Sequence, residues 1–124
     1  MPLITPEEVK PRSILGIDFE TTSHCDIRRG SAAYAEHPTT RAMCAVFIIS
    51  HHTAVAPSLE TCEVQQFKFE WWPGMPVPRP VVEWIKEGGA VLAHNISFEH
   101  EIIKAGHIKG LPLPKMEQWH DTMA

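Results

Sequence analysis

Two acids stand at the end of an apolar run. The segment Ser13-Ile14-Leu15-Gly16-Ile17-Asp18-Phe19-Glu20 is hydrophobic until Asp18, and Glu20 follows two residues later. Side chains of an extended strand alternate with a period of two, so both carboxylates point to one face. The apolar residues before them predict that this face lies near a core. Like charges in such a place repel and raise each other's pKa unless a cation sits between them. Hard divalent cations favour carboxylate oxygen, and Mg²⁺ takes one or two such ligands together with water and substrate phosphate. A strand that simply ends in solvated charge accounts for a bare DxE equally well.

A further acid lies in His94-Asn95-Ile96-Ser97-Phe98-Glu99-His100-Glu101-Ile102-Ile103. Helical spacing places Phe98, Ile102 and Ala105 on one face. Glu99 borders that face, whereas His100, Glu101 and Lys104 point elsewhere. Asn95 is suited to cap the helix. Acids early in a helix are also favoured by the macrodipole, which accounts for Glu101 and accommodates Glu99 as well.

These residues need elements to position them. Residues 13–20 read as a buried strand. Residues 21–41 are polar, with Gly, Pro and two arginines, and read as a long loop with at most a short helical turn. Residues 42–50 form a second strand rich in β-branched and aromatic residues, and 63–69 alternate as a half-exposed third. His51-His52-Thr53 is a candidate hairpin turn, with a ragged stretch around Pro57. The proline-rich stretch 71–80 is a loop; it precedes a helix with Pro80 in its first turn and a stop at Gly88-Gly89. A short strand over 90–94, the helix from Ile96 towards Gly106, and a last strand near 118–120 complete the chain, with Asp121 placed to cap whatever helix follows. Three leading strands suit an antiparallel meander, and the later strand–helix–strand portion suits parallel crossovers. In Trp71-Trp72-Pro73-Gly74-Met75, one tryptophan packs in the core or the stretch serves as a protein contact.

At 124 residues the chain is one domain (1–124), with 44% hydrophobic and 21% charged residues, as in globular proteins. No apolar run approaches a bilayer span, and the N-terminus lacks the regions of a signal peptide, so a cytosolic setting is expected. Cys25, Cys44 and Cys62 are odd in number without CxxC spacing, which argues against a disulfide framework. His24-Cys25, His51-His52 and Cys62 offer zinc-ligand chemistry without the paired spacing of a structural site. The net charge of −4 disfavours a broad double-strand-binding face. It is compatible with an enzyme whose metal ions offset an acidic site.

Taken together, three segments resemble the DnaQ-like (DEDD) 3′–5′ exonuclease family. Residues 14–22 resemble its first motif, a strand ending in DxET. Ala93-His94-Asn95-Ile96-Ser97-Phe98-Glu99 resembles the second, HNxxFD, with glutamate in place of aspartate. His120-Asp121-Thr122-Met123 resembles the DT segment one strand later. The stretch Tyr34-Ala35-Glu36-His37-Pro38-Thr39-Thr40 is similar to an insertion in the proofreading domains of phage-type family A DNA polymerases.

The resemblance implies a ribonuclease H-like α/β fold, a mixed sheet with flanking helices, C-terminally truncated because the third motif, YxxxD or HxxxD, lies beyond Ala124. It implies two Mg²⁺ or Mn²⁺ ions about 3.5–4 Å apart that hydrolyse the terminal phosphodiester at a single-stranded 3′ end of DNA. Asp18 would bridge both ions, Glu20 would hold the nucleophile-side ion and Glu99 would support the other. Thr21, Asn95, Phe19 and Phe98 would line the substrate, although Asn95 reads better as cap and anchor, and Phe19 and Phe98 equally well fill the core. Without the fourth acid, the expectation is weak activity alone, and a second polypeptide that completes or contacts the domain. The alternative is a phage-encoded relic of a nuclease, acting in an infected host as a protein- or nucleic-acid-binding inhibitor.

Overall fold

A computed structural model describes residues 12–54 and 62–121. The strands β1 (Arg12–Thr22), β2 (Arg41–Ala54) and β3 (Cys62–Trp71) form an antiparallel meander. After helix α2 (Arg79–Lys86), strand β4 (Val91–Ala93) pairs in parallel with β1, and after helix α3 (Ile96–Lys104), β5 (Trp119–Asp121) pairs in parallel with β4. The result is an α/β fold with a mixed five-stranded sheet ordered β3-β2-β1-β4-β5. Among the described residues no helix is long and apolar enough to cross a membrane.

Alternation along β1 divides the sheet into two unlike faces. Leu15, Ile17 and Phe19 are buried, together with their neighbours Ala45, Phe47, Ile49, Val91 and Ala93. They share one cluster with Tyr34 and Ala35, with Val81 and Ile85 of α2, and with Ile102 and Ile103 of α3. The helices therefore cover this face. The opposite face carries Gly16, Asp18 and Glu20 beside Ile48, Val46 and Cys44, none of them buried. It has no helical cover among the described residues.

Several elements run longer than local pattern predicts. β2 continues through His51, whose ring nitrogen lies 2.7 Å from Ser13 Oγ, so His51-His52-Thr53 is strand and not a turn. The connection around Pro57 and the residues after Asp121, which itself closes β5, fall outside the described residues. The expected loop 21–41 contains the end of β1, a 3-10 turn at Ile27–Arg29 and helix α1 (Ser31–Glu36). Helix α1 is too short to persist alone. It is held by Tyr34, whose hydroxyl bonds Thr21 at 2.9 Å and whose ring packs 5.7 Å from that of Phe98. Helix α3 stops at Lys104, so Ala105 is an exposed C-cap and not part of the apolar face.

Candidate functional site

Asp18 and Glu20 project from the second half of the central strand onto the open face, both exposed. Glu99 arrives from the neighbouring crossover. Strand β4 ends at Ala93, and Asn95 caps α3 by accepting a hydrogen bond from Phe98 N–H at 3.2 Å. This start fixes Glu99 in the first helical turn, one position after Phe98. Its side chain is only 4% exposed, and its Oε2 has no hydrogen-bond partner. A buried carboxylate with an unpartnered oxygen is costly in its charged form. Burial pushes the Glu99 carboxyl up to about 7; its own backbone N–H and that of Asn95 offset part of this, and the charge of Asp18 adds to it. The fold therefore places Glu99 within reach of the charge of Asp18.

Cys44, opposite Glu20 in the ladder, acts as a second reporter of local charge. Loss of solvent raises its thiol pKa, and the charges of Glu20, Asp18 and Glu70 raise it further. Glu70 was not foreseen in the sequence. It joins the row because the ladder aligns Asp18 with Val46 and Val46 with Glu70, and residues in such a row share a face. A lysine two residues earlier, Lys68, lies 3.6 Å from Glu70 and dilutes its charge.

The donor set suits a divalent ion in part. Asp18 and Glu99 fit: both offer hard oxygen, they repel one another, and one buried oxygen lacks a partner. One or two carboxylates suffice for Mg²⁺ when water and phosphate supply the remaining ligands. Glu20 does not complete a cage with them, since among the described residues no three His, Cys, Asp or Glu groups gather closely enough to hold a metal. The zinc candidates His24-Cys25 and His51 likewise form no such group among the described residues.

The expected substrate contacts separate into two kinds. Phe19 follows the core-filling alternative: it is 6% exposed, sits edge-on to Phe47 at 6.3 Å, and lies on the covered face. Phe98 is half-buried against the core and Tyr34. Thr21 is occupied with Tyr34, while Asn95 is an exposed cap beside a concavity of about 380 Å³ that it shares with His94, Ser97 and Asp121. A second concavity of about 470 Å³ runs over Gly16 between Asp18, Val46, Ile48, Leu92 and His94.

The tryptophan pair divides as well. Trp71 is buried and donates to Met75 O at 2.8 Å, whereas Trp72 is 52% exposed. Comparison of the chain with protein-family models, with curated proteins and with solved structures finds no significant match.

Proposed function

We propose that this chain is a ribonuclease H-like domain of the DnaQ 3′–5′ exonuclease type, acting on single-stranded 3′ ends of DNA by metal-dependent phosphodiester hydrolysis. The observation that carries the reading is the placement of Asp18, on the central strand just past its pairing with β4, and Glu99, in the first helical turn after β4, near enough for the charge of Asp18 to act on the Glu99 carboxyl. In α/β sheets, ligands bind outside the carboxyl ends of strands where the winding direction switches. Here the order β3-β2-β1-β4-β5 reverses between β1 and β4, since the chain adds β2 and β3 on one side of β1 and β4 and β5 on the other. The strand order and the DxET and HNxxFE segments support the same reading.

Bound divalent ions would supply charge for the phosphate and an acidified water, with Asp18 and Glu99 as holders and Glu20 flanking. The chain's own contribution is positional. Asn95 fixes the helix start, the Thr21–Tyr34 hydrogen bond braces the end of β1, and the buried surroundings of Glu99 keep water from screening its charge.

A second reading is a binding module that has kept the nuclease scaffold. It is favoured by the uncovered apolar strip of Val46, Ile48 and Leu92 around Gly16, which suits a polypeptide partner. The deciding experiment is digestion of a 5′-labelled single strand with Mg²⁺ or Mn²⁺, by wild type and by Asp18→Ala. Stepwise shortening from the 3′ end that is lost in the variant supports the nuclease. No shortening by folded protein at any metal concentration leaves the binding module.

A further inference from the structure

The strand pair β1–β2 carries one irregularity. Glu20 pairs with Cys44, but the next residue, Thr21, pairs with Ala42, so Met43 is an extra residue on β2. Such a bulge re-aims the side chains beyond it. With uninterrupted pairing, Arg41 would share the covered face with Ala45. The bulge instead places the small, buried Ala42 there and sets Arg41 opposite Thr22, on the face that holds Asp18 and Glu20. The open face thus runs Asp18, Glu20, Thr22 along one strand, with a guanidinium beside its far end.

That end is a formed depression. Thr22, Ser23, His24, Pro38, Thr39 and Arg41 line a concavity of about 330 Å³ with no carboxylate in its wall. Hydrogen bonds fix its shape: His24 N–H donates to Thr39 Oγ1 at 2.9 Å, Thr39 Oγ1 lies 2.8 Å from His37 Nδ1, and Cys25 N–H donates to Ser23 Oγ at 3.0 Å. The hydroxyl of Thr40 ties Ser23 to this network at 2.6 Å. These bonds occupy Ser23 and Thr39. They leave uncommitted the Thr22 hydroxyl, the His24 ring and the Arg41 guanidinium, for which the described residues supply neither hydrogen bond nor ion pair. In a chain of net charge −4, a rigid recess with a free arginine and free donors selects an anion.

We infer that this recess is a phosphate subsite for the backbone of a single-stranded nucleic acid, with Arg41, Thr22 and His24 as donors, set in line with Asp18 and Glu20. A strand rises about 3.3 Å per residue, so Thr22 lies roughly 13 Å along β1 from Asp18. The subsite therefore grips a phosphate further along the strand from the bond at the acids. The inference rests on the nuclease reading for the identity of its ligand, but not for the recess itself.

The test is binding of a 5′-fluorescein oligothymidylate in EDTA, followed by anisotropy over a range of salt concentrations, with digestion in Mg²⁺ measured separately. Arg41→Ala is expected to weaken binding about tenfold, as fits loss of one charged hydrogen-bond donor. It should also reduce the salt slope by about 0.7, the contribution of one phosphate contact on a single strand. Arg41→Lys should keep the slope. Thr22→Ala provides a second exposed probe if Arg41→Ala folds poorly. Titration with inorganic phosphate should shift the backbone amide resonances of residues 22–24 and 39–41 in the unaltered chain. Equal affinity and slope in folded Arg41→Ala would overturn the subsite, as would absence of both oligonucleotide binding and phosphate-induced shifts. Arg41-dependent binding without any digestion would keep the subsite and remove the nuclease reading. Digestion that is indifferent to Arg41 and Thr22 would do the reverse.

Discussion

Replacing Glu99 with glutamine separates the shape of a buried side chain from its charge. The folded chain holds the Glu99 proton until about pH 7, against 4.5 for a free glutamate side chain. Between these values the folded state binds more protons than the unfolded one, so stability falls as pH rises. The contribution is complete below pH 4.5 and is lost as pH climbs through 7. At 1.36 kcal/mol per pKa unit, the whole span amounts to roughly 3 kcal/mol. Glutamine keeps the shape but cannot ionise. Its amide also lacks a partner where Oε2 has none, which costs about 1 kcal/mol or more. Glu99→Gln should therefore equal wild type or fall about 1 kcal/mol below it at pH 4.5, and exceed it by about 2–3 kcal/mol at pH 8. Urea unfolding followed by tryptophan fluorescence at low salt, from pH 4.5 to 8, measures both proteins. Taking the difference between them removes the eight histidines, which titrate in the same range. A difference that stays constant across the range would refute the reasoning, because Glu99 would then be equally charged in both states.

Asp18→Ala should abolish Mn²⁺ binding in calorimetry and slow any metal-dependent digestion by about a hundredfold or more, while apo stability stays level or rises as repulsion on Glu99 is relieved. Asn95→Ala removes the acceptor for Phe98 N–H and should cost about 1 kcal/mol in urea unfolding. Gly89→Ala would drive a Cβ into the Trp84 ring, whose Nε1 already donates to Ala90 O at 2.9 Å. It should destabilise by about 1–3 kcal/mol, read as a lower Tm. Trp71→Phe should cost about 1 kcal/mol by orphaning Met75 O, whereas Trp72→Ala should stay within about 0.5 kcal/mol of wild type, both by thermal unfolding.

Local sequence carries those features that local physics decides. β1 is legible because an apolar run of alternating burial ends in charge, and α3 because Asn95 supplies a side-chain acceptor where the helix begins. The split between Trp71 and Trp72 follows from strand alternation, yet which of the two turns inward depends on register, and register is set by the partner strand. Long-range pairing hides the rest. His51 reads as a turn residue until Ser13 is found opposite it, and α1 reads as loop until Tyr34 meets Thr21 and Phe98. Phe19 and Asp18 are adjacent in sequence but lie on opposite faces, so period two alone separates core from site. Glu70 and Arg41 were invisible for a stricter reason. Their places beside the acids arise from a ladder row and from a one-residue bulge, and no local pattern encodes either.

The position of β1 between β2 and β4 also sets an expected order of assembly. The β1–β2–β3 meander pairs neighbours in the chain, so its loops close early and at low entropic cost. The other edge of β1 must wait for β4: Leu15 meets Val91 only after α2 has folded back, and non-local parallel pairing of this kind is slow. Asp18 and Glu20 travel with the early hairpin, whereas Glu99 travels with the late crossover. The two halves of the acidic site thus belong to different stages of folding. On that expectation the charge of Asp18 acts against Glu99 only at the closing step, and a cation held by both would stabilise the docked sheet over the open hairpin.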